Sequence, residues 1–313
     1  MASDWKIRLG LIASFVLICL IWGSTFMAIR IGVQDLPPWL MAGTRFLLAG
    51  GLLAAVAFLA GQRPGTRSDW VTATVMAILM VAVGNGFVTW AEQWVPSNKA
   101  ALLITTGAMW ITLFGAIGAK GHRITLRIGT GLVVGFSGAI MMLAPENGLD
   151  TGYLWAQIVI LISSVGWAIG TTYRRNVRVS TGPLMFAAMQ MGLGGLLLTV
   201  VGLLNGEWGQ WQWTLPGTLA WLYLTIFGSC IAYAFYVWLI DRTTPARLGA
   251  TAYIVPAIAT VMGWLFLGEA LEGIQFIGVF VIILGVVLVT APASRRRGRA
   301  AETAIDDDGM KRP

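Results

Sequence analysis

Charge is what this sequence has least of: Asp, Glu, Lys and Arg make up 11% of 313 residues, against about 25% in soluble domains. A chain so poor in charge and 57% hydrophobic cannot hide its apolar surface in water, which excludes a soluble globular protein. Histidine occurs once, at His122, and cysteine twice, at Cys19 and Cys230, both inside hydrophobic stretches. No metal site, disulfide framework or resident cofactor is expected from so few ligating side chains. The chain has no H-E-x-x-H helix, no paired Asp residues within spans and no Gly-rich phosphate loop, so neither an intramembrane enzyme nor an ATP-driven pump is indicated. No Asp or Glu lies deep inside a hydrophobic stretch, so a buried carboxylate relay for protons has no obvious residue. Glu92, near the end of the third stretch, is the one acid placed to titrate in a cavity; facilitated movement, or weak coupling through Glu92, is the economical expectation.

What is present in quantity is long apolar runs. Ten stretches, each close to the roughly 20 residues that cross about 30 Å of hydrocarbon, lie at 7–29, 37–60, 70–90, 100–119, 128–144, 152–173, 183–204, 217–239, 248–267 and 273–291. Their continuity favours helices over the short alternating strands of a barrel. The first could be mistaken for a signal peptide, but it is too long and lacks a small-residue cleavage site, so a retained helix is expected. Lys6, Arg8, Arg63, Arg67, Lys120, Arg123, Arg127, Arg174, Arg175, Arg178, Arg242, Arg247 and the run 295–297 fall at the termini or in every second connection. The other connections (33–36, 145–150, 205–215, 268–272) carry Asp35, Glu146, Asp150, Glu207, Glu269 and Glu272 and no cation. By the positive-inside rule both termini are cytoplasmic. The net charge of +7 is thus an insertion signal and does not point to nucleic acid.

The second half of the chain repeats the first. Trp22 and Arg30 recur as Trp167 and Arg175, and Gly50-Gly51 before Leu52-Leu53 recurs as Gly194-Gly195 before Leu196-Leu197. Gly131, Gly138 and Pro145 recur as Gly278, Gly285 and Pro292. A unit of five spans starts and ends on opposite sides of the bilayer, so its second copy enters upside down. The expected fold is an all-α membrane protein of ten transmembrane helices, two inverted five-helix repeats at 1–145 and 150–292, followed by a disordered tail at 293–313. Inverted repeats are the architecture of alternating-access transporters.

Three motifs in this order resemble the EamA family of the drug/metabolite transporter superfamily: Leu20-Ile21-Trp22-Gly23-Ser24-Thr25-Phe26, Ala42-Gly43-Thr44-Arg45-Phe46-Leu47-Leu48-Ala49, and Phe266-Leu267-Gly268-Glu269 with Gln275-Phe276-Ile277-Gly278 and Gly285. The resemblance covers residues 7 to 291. It implies two EamA domains, a multi-pass location in the bacterial inner membrane, and export of amino acids, related metabolites or toxic analogues. The end of the first repeat departs from it: Ala119-Lys120-Gly121-His122 stands where the second has Leu267-Gly268-Glu269. The alternatives are a facilitative uniporter or exchanger for other small metabolites or drug-like compounds, and a membrane scaffold without transport.

Polar residues within spans mark the candidate site. Arg45, about eight residues into the second span, is either a fork for a substrate carboxylate or phosphate or a structural tie to helix-end carbonyls or to Glu92; its repeat partner is Gln190. Thr25, Asn85, Thr89, Thr105, Thr106, Gln157, Thr171, Thr251 and Tyr253 offer hydroxyls and amides, and Trp22, Trp110, Trp167, Tyr233 and Tyr236 offer aromatic faces. That mixture suits a zwitterion with an apolar side chain or a small amphipathic metabolite. Each threonine has the competing role of bonding its own preceding turn. Gly84-Asn85-Gly86 and Pro256 are points where a helix can bend. Trp39, Trp90, Trp94, Trp155, Trp208, Trp211 and Trp213 are expected in an interfacial belt. The glycine faces of the fifth and tenth spans are expected to pack helices, either within the chain or in a homodimer. The expected partners are thus the lipid bilayer and a small-molecule substrate, with a second copy as the alternative use of those glycine faces.

Overall fold

A computed structural model describes residues 2–116, 124–142, 153–240, 251–270 and 273–290. His122, Lys120 and Arg123, the connection at 241–250, the tail and the side chains of Lys6, Arg8, Arg175 and Tyr253 lie outside what is described. The described residues form helices and connecting turns: α1 (Ala2–Gly32), α2 (Pro38–Leu59), α3 (Arg67–Met76) continuing as a π-wound segment (Ala77–Gly86) into α4 (Phe87–Ala91), α5 (Ser97–Ile104), α6 (Gly107–Gly115) and α7 (Leu126–Met142). The second half follows with α8 (Leu154–Asn176), α9 (Pro183–Leu204), a 3-10 turn (Glu207–Gln210), α10 (Leu215–Tyr223), a second π-wound segment (Leu224–Ile231), α11 (Ala232–Ile240), α12 (Thr251–Leu267) and α13 (Gly273–Thr290). Among the described residues six helices are long and apolar enough to cross a membrane, and Leu126–Met141, Ile254–Leu267 and Phe276–Val289 are shorter apolar helices. The protein is therefore all-helical and multi-pass.

Two features depart from simple straight spans. The third and eighth stretches each switch to π winding in mid-helix, and the fourth is broken at Thr105-Thr106 between α5 and α6. The π segment of the first half contains the Gly84-Asn85-Gly86 weak point: Asn85 Nδ2 bonds the carbonyl of Met80, five residues back, at 2.8 Å. In the other segment Ser229 Oγ bonds the carbonyl of Leu224, also five back, at 3.1 Å. Such wide turns are rare and concentrate where helices do more than span. Pro256, by contrast, sits inside a helix that runs unbroken from Thr251 to Leu267.

α2 and α9 form the central antiparallel pair, brought together by the absence of side chains. A Cβ on Gly50 would stand 2.7 Å from the backbone nitrogen of Gly192, and one on Gly195 2.5 Å from that of Leu47. The helices also end alike. Gly61 and Gly206, at φ of 75° and 72°, adopt the left-handed conformation that stops each helix. The next residue then turns back onto the neighbour's N-terminus: Gln62 Oε1 accepts from Met185 N at 3.1 Å, and Glu207 Oε2 accepts from Leu40 N at 2.8 Å. Pro38 and Pro183 open the helices, where a missing N–H costs nothing. Each helix of the pair thus caps the other.

α7 and α13 pack on each other through the glycines expected to pack helices. A Cβ on Gly285 would lie 2.3 Å from Gly135 Cα, and one on Gly138 2.6 Å from Ile282 N. That small-residue surface is occupied within one chain, while Val133, Ile140, Phe276 and Phe280 face outward, more than half exposed.

Candidate functional site

The two π-wound segments organise the interior. Trp22 of α1 crosses to the π segment of the second half, where its Nε1 donates to the carbonyl of Gly228 at 3.3 Å. Its repeat counterpart Trp167 of α8 lies against Gly84 of the first half's π segment, with Cε3 3.2 Å from where a Cβ would stand. Each tryptophan therefore reaches the glycine-bearing wide turn of the opposite repeat.

Around Gly228 the structure gathers five of the expected residues. Arg45, 4% exposed, donates from Nε to Ser229 Oγ at 3.0 Å. The Ser229 hydroxyl accepts this bond and donates its own hydrogen bond to the carbonyl of Leu224, five residues back, so the π winding places the acceptor. The guanidinium lies 4.5 Å from the Phe46 ring centroid, and Nη1 has no hydrogen-bond partner. Arg45 is thus tied to a serine that sequence reasoning missed, and neither to Glu92 nor to a helix-end carbonyl. Thr25 packs on the same glycine, its Cγ2 3.0 Å from a Gly228 Cβ position. Trp22 lies 5.1 Å from the Tyr236 ring, which lies 6.1 Å from Tyr233. Gln190, 3% exposed on α9, likewise leaves Oε1 without a partner.

Other expected residues lie elsewhere or hold structural bonds. Thr25, Thr89, Thr105 and Thr171 donate to the carbonyls of Trp22, Asn85, Leu102 and Trp167 in their own helices. Thr106 and Ser164 share a hydrogen bond at 2.9 Å, which ties the broken fourth stretch to α8. Trp110 turns toward α7, with Phe136 at 4.7 Å and Phe114 at 6.0 Å. Gln157 is buried with Oε1 unpartnered, and Thr251 is half-buried at the start of α12. The expected belt is partly a cluster: Trp39 stacks on Trp90 at 5.8 Å, and Trp90, Trp94 and Trp155 meet at 4.6–5.3 Å, whereas Trp208 and Trp213 are exposed.

The end of the molecule that carries the acidic connections has its own electrostatics. Glu269 accepts from Ser97 N and Oγ, each at 2.8 Å, and from Asn98 N at 3.0 Å, capping α5. Glu207 accepts from Leu40 N and from Trp39 N, the latter at 3.4 Å. Burial raises its carboxyl above the usual carboxylate range, against the lowering effect of those two N–H groups. Glu92, at the end of α4, is 0% exposed, and neither carboxyl oxygen has a hydrogen-bond partner. Arg30 Nη1 donates instead to the main-chain carbonyl of Glu92. Desolvation raises the Glu92 carboxyl well above its ordinary range, the nearby charge of Glu269 raises it further, and Arg30 and Arg45 oppose them. An open pocket of 310 Å³ at this end is lined by Arg30, Gln34, Asp35, Pro96 and Glu269 among others.

Comparison with known proteins places this geometry in context. The chain matches the EamA-like transporter family twice, over residues 9–144 and 154–291. It is 37% identical over 284 residues to the uncharacterized inner membrane transporter YedA of Escherichia coli strain K12, covering 90% of this chain and 91% of that one. It is 22% identical over 294 residues to the uncharacterized transporter YoaV of Bacillus subtilis strain 168, covering 93% and 99%. A solved crystal structure superposes with a TM-score of 0.63 at 19% identity, covering 91% of this chain and 98% of that one, a likeness of fold.

Proposed function

Because the chain belongs to the EamA-like transporter family, we propose that this multi-pass membrane transporter exports amino acids or closely related zwitterions by alternating access between two inverted five-helix repeats. In this reading the described helices make ten spans, both termini are cytoplasmic, and the location is a bacterial inner membrane. The observation that carries it is the exchange of Trp22 and Trp167 between the π-wound turns of opposite halves, beside a buried Arg45 with one nitrogen unpartnered. An unpaired buried guanidinium N–H is costly. A substrate carboxylate supplies its acceptor, and aromatic faces take an apolar side chain. The two halves are joined by matched caps at opposite ends, Gln62 on α9 and Glu207 on α2, so one end opens by releasing one set while the other holds.

The test is counterflow of radiolabelled L-threonine, L-leucine and L-cysteine in proteoliposomes, together with labelling of a single cysteine at position 210 in intact cells. Exchange of at least one amino acid and labelling without permeabilisation are expected. Failure of all three substrates removes the amino-acid reading, and labelling only after permeabilisation removes the ten-span topology.

A further inference from the structure

Two glutamates at the acidic end stand in opposite surroundings. Glu269 receives three donors at the N-terminus of α5, where the helix dipole favours negative charge. Glu92 stands where α4 ends, beside the carbonyls of its last turn, fully buried and with neither oxygen receiving a donor. An ionised carboxylate in that position loses its hydration without replacement, whereas a neutral acid forfeits only a hydrogen bond. The charged groups that reach it are Arg30 from α1, Arg45 from α2 and Glu269 from the turn after α12. Arg30 is engaged by the main-chain carbonyl of Glu92 and Arg45 by Ser229, so neither donates to the carboxyl. Lys99 on α5 is also buried at this end and has an interaction of its own. A buried carboxyl that no donor reaches is held more cheaply with its proton than without it.

We propose that Glu92 is a proton-binding site of this transporter, occupied when the acidic end is packed as in this structure and emptied when that end opens to water. The side chain is 0% exposed where α1, α2 and the turn after α12 bring Arg30, Arg45 and Glu269 toward it. Separating these elements admits water, and a hydrated carboxylic acid releases its proton. Closure then takes one proton up, so acid on that side favours the closed form. The place of this step in a transport cycle rests on the transporter reading above; the proton site itself does not.

Infrared spectroscopy of the full chain in phosphatidylcholine vesicles, without substrate, tests the site directly. In a titration from about pH 4 to about pH 9, exposed carboxyls lose the protonated C=O band near their ordinary pKa of about 4.3. At neutral pH the spectrum of the wild type minus that of Glu92→Gln is expected to show one such band, while wild type minus Glu269→Gln shows none; bands from lipid esters, or from Glu207, whose carboxyl burial also raises, cancel in the difference. Absence of the band from the wild-type-minus-Glu92→Gln difference overturns the proposal. Gln is a neutral near-isostere of the protonated acid, and elution as a single species checks folding; Glu92→Asp, which shifts the band, serves if it fails. In the counterflow assay the external-pH dependence, at most about tenfold per pH unit for one proton, is expected to flatten in Glu92→Gln. Wild-type exchange that is already flat with pH overturns the coupling and leaves transport standing. If no amino acid moves, the substrate reading falls while the infrared band still decides the proton site.

Discussion

Replacing Glu207 tests whether the reciprocal capping of α2 and α9 holds the two halves together. Its carboxylate accepts from Leu40 N at 2.8 Å and more loosely from Trp39 N at 3.4 Å, the first two N–H groups of a helix whose opening residue, Pro38, has none. Glu207 is 6% exposed, so water replaces it poorly. Glu207→Ala strands both donors at about 1–3 kcal/mol for a full orphan. The long Trp39 bond counts for less, which gives a loss of about 2–3 kcal/mol, at or above the roughly 0.5–2 kcal/mol of a lost single-donor N-cap. Glu207→Gln keeps one oxygen for Leu40 and loses only the charge assistance, about 1 kcal/mol, making the cap a copy of Gln62 on α9. At roughly 2 °C per kcal/mol for a large chain, midpoints should fall by about 4–6 °C for Ala and about 2 °C for Gln. The assay is thermal unfolding in detergent followed by a thiol-reactive dye, since Cys19 and Cys230 are free and sheltered in helices. Equal shifts for Glu207→Ala and Glu207→Gln, or a larger shift for Gln62→Ala than for Glu207→Ala, refute the capping argument.

Three further outcomes are expected. Arg45→Ala abolishes amino-acid counterflow and Arg45→Lys retains part of it, because a point charge reaches Ser229 but does not reproduce the planar fork; normal transport by both variants, with normal elution, removes Arg45 from the site. Gly285→Ala pushes a Cβ to 2.3 Å from Gly135 Cα and should lower the midpoint by several degrees, whereas Gly51→Ala meets nothing within 4 Å and should leave it unchanged; equal midpoints for the two exclude close packing of α7 on α13. Because the native state holds the Glu92 proton while the unfolded chain releases it above about pH 4.3, the native state binds more protons and stability falls as pH rises above that value. Glu92→Gln should therefore be more stable than wild type at about pH 8 and little different at about pH 4; a midpoint difference independent of pH contradicts a buried proton there.

The sequence by itself determined the local elements and their repetition. Apolar runs of spanning length are read within a single segment, and the expected stretches are mainly helical where they are described, the fourth being broken at Thr105-Thr106. The pairing of Trp22 with Trp167 and the glycines of the fifth and tenth spans were legible for the same reason, since spacing survives without knowledge of neighbours. Arg45 stood out because a charge within an apolar run is conspicuous, and Gly84-Asn85-Gly86 because small residues weaken a helix. Only the tertiary structure decided which polar groups meet. Ser229 gave no signal, because it becomes the acceptor for Arg45 only when π winding turns it toward α2. Gln62 and Glu207 stand three residues beyond the ends of repeat-related helices, a spacing open to view, yet their role exists only once α2 and α9 lie antiparallel. From the chain, Glu92 stood out as an acid placed to titrate near a helix end, with no sign of what would surround it. Packing of the helices around it removed the water and directed both arginines to other acceptors, because burial and partner choice are set by which helix ends arrive together.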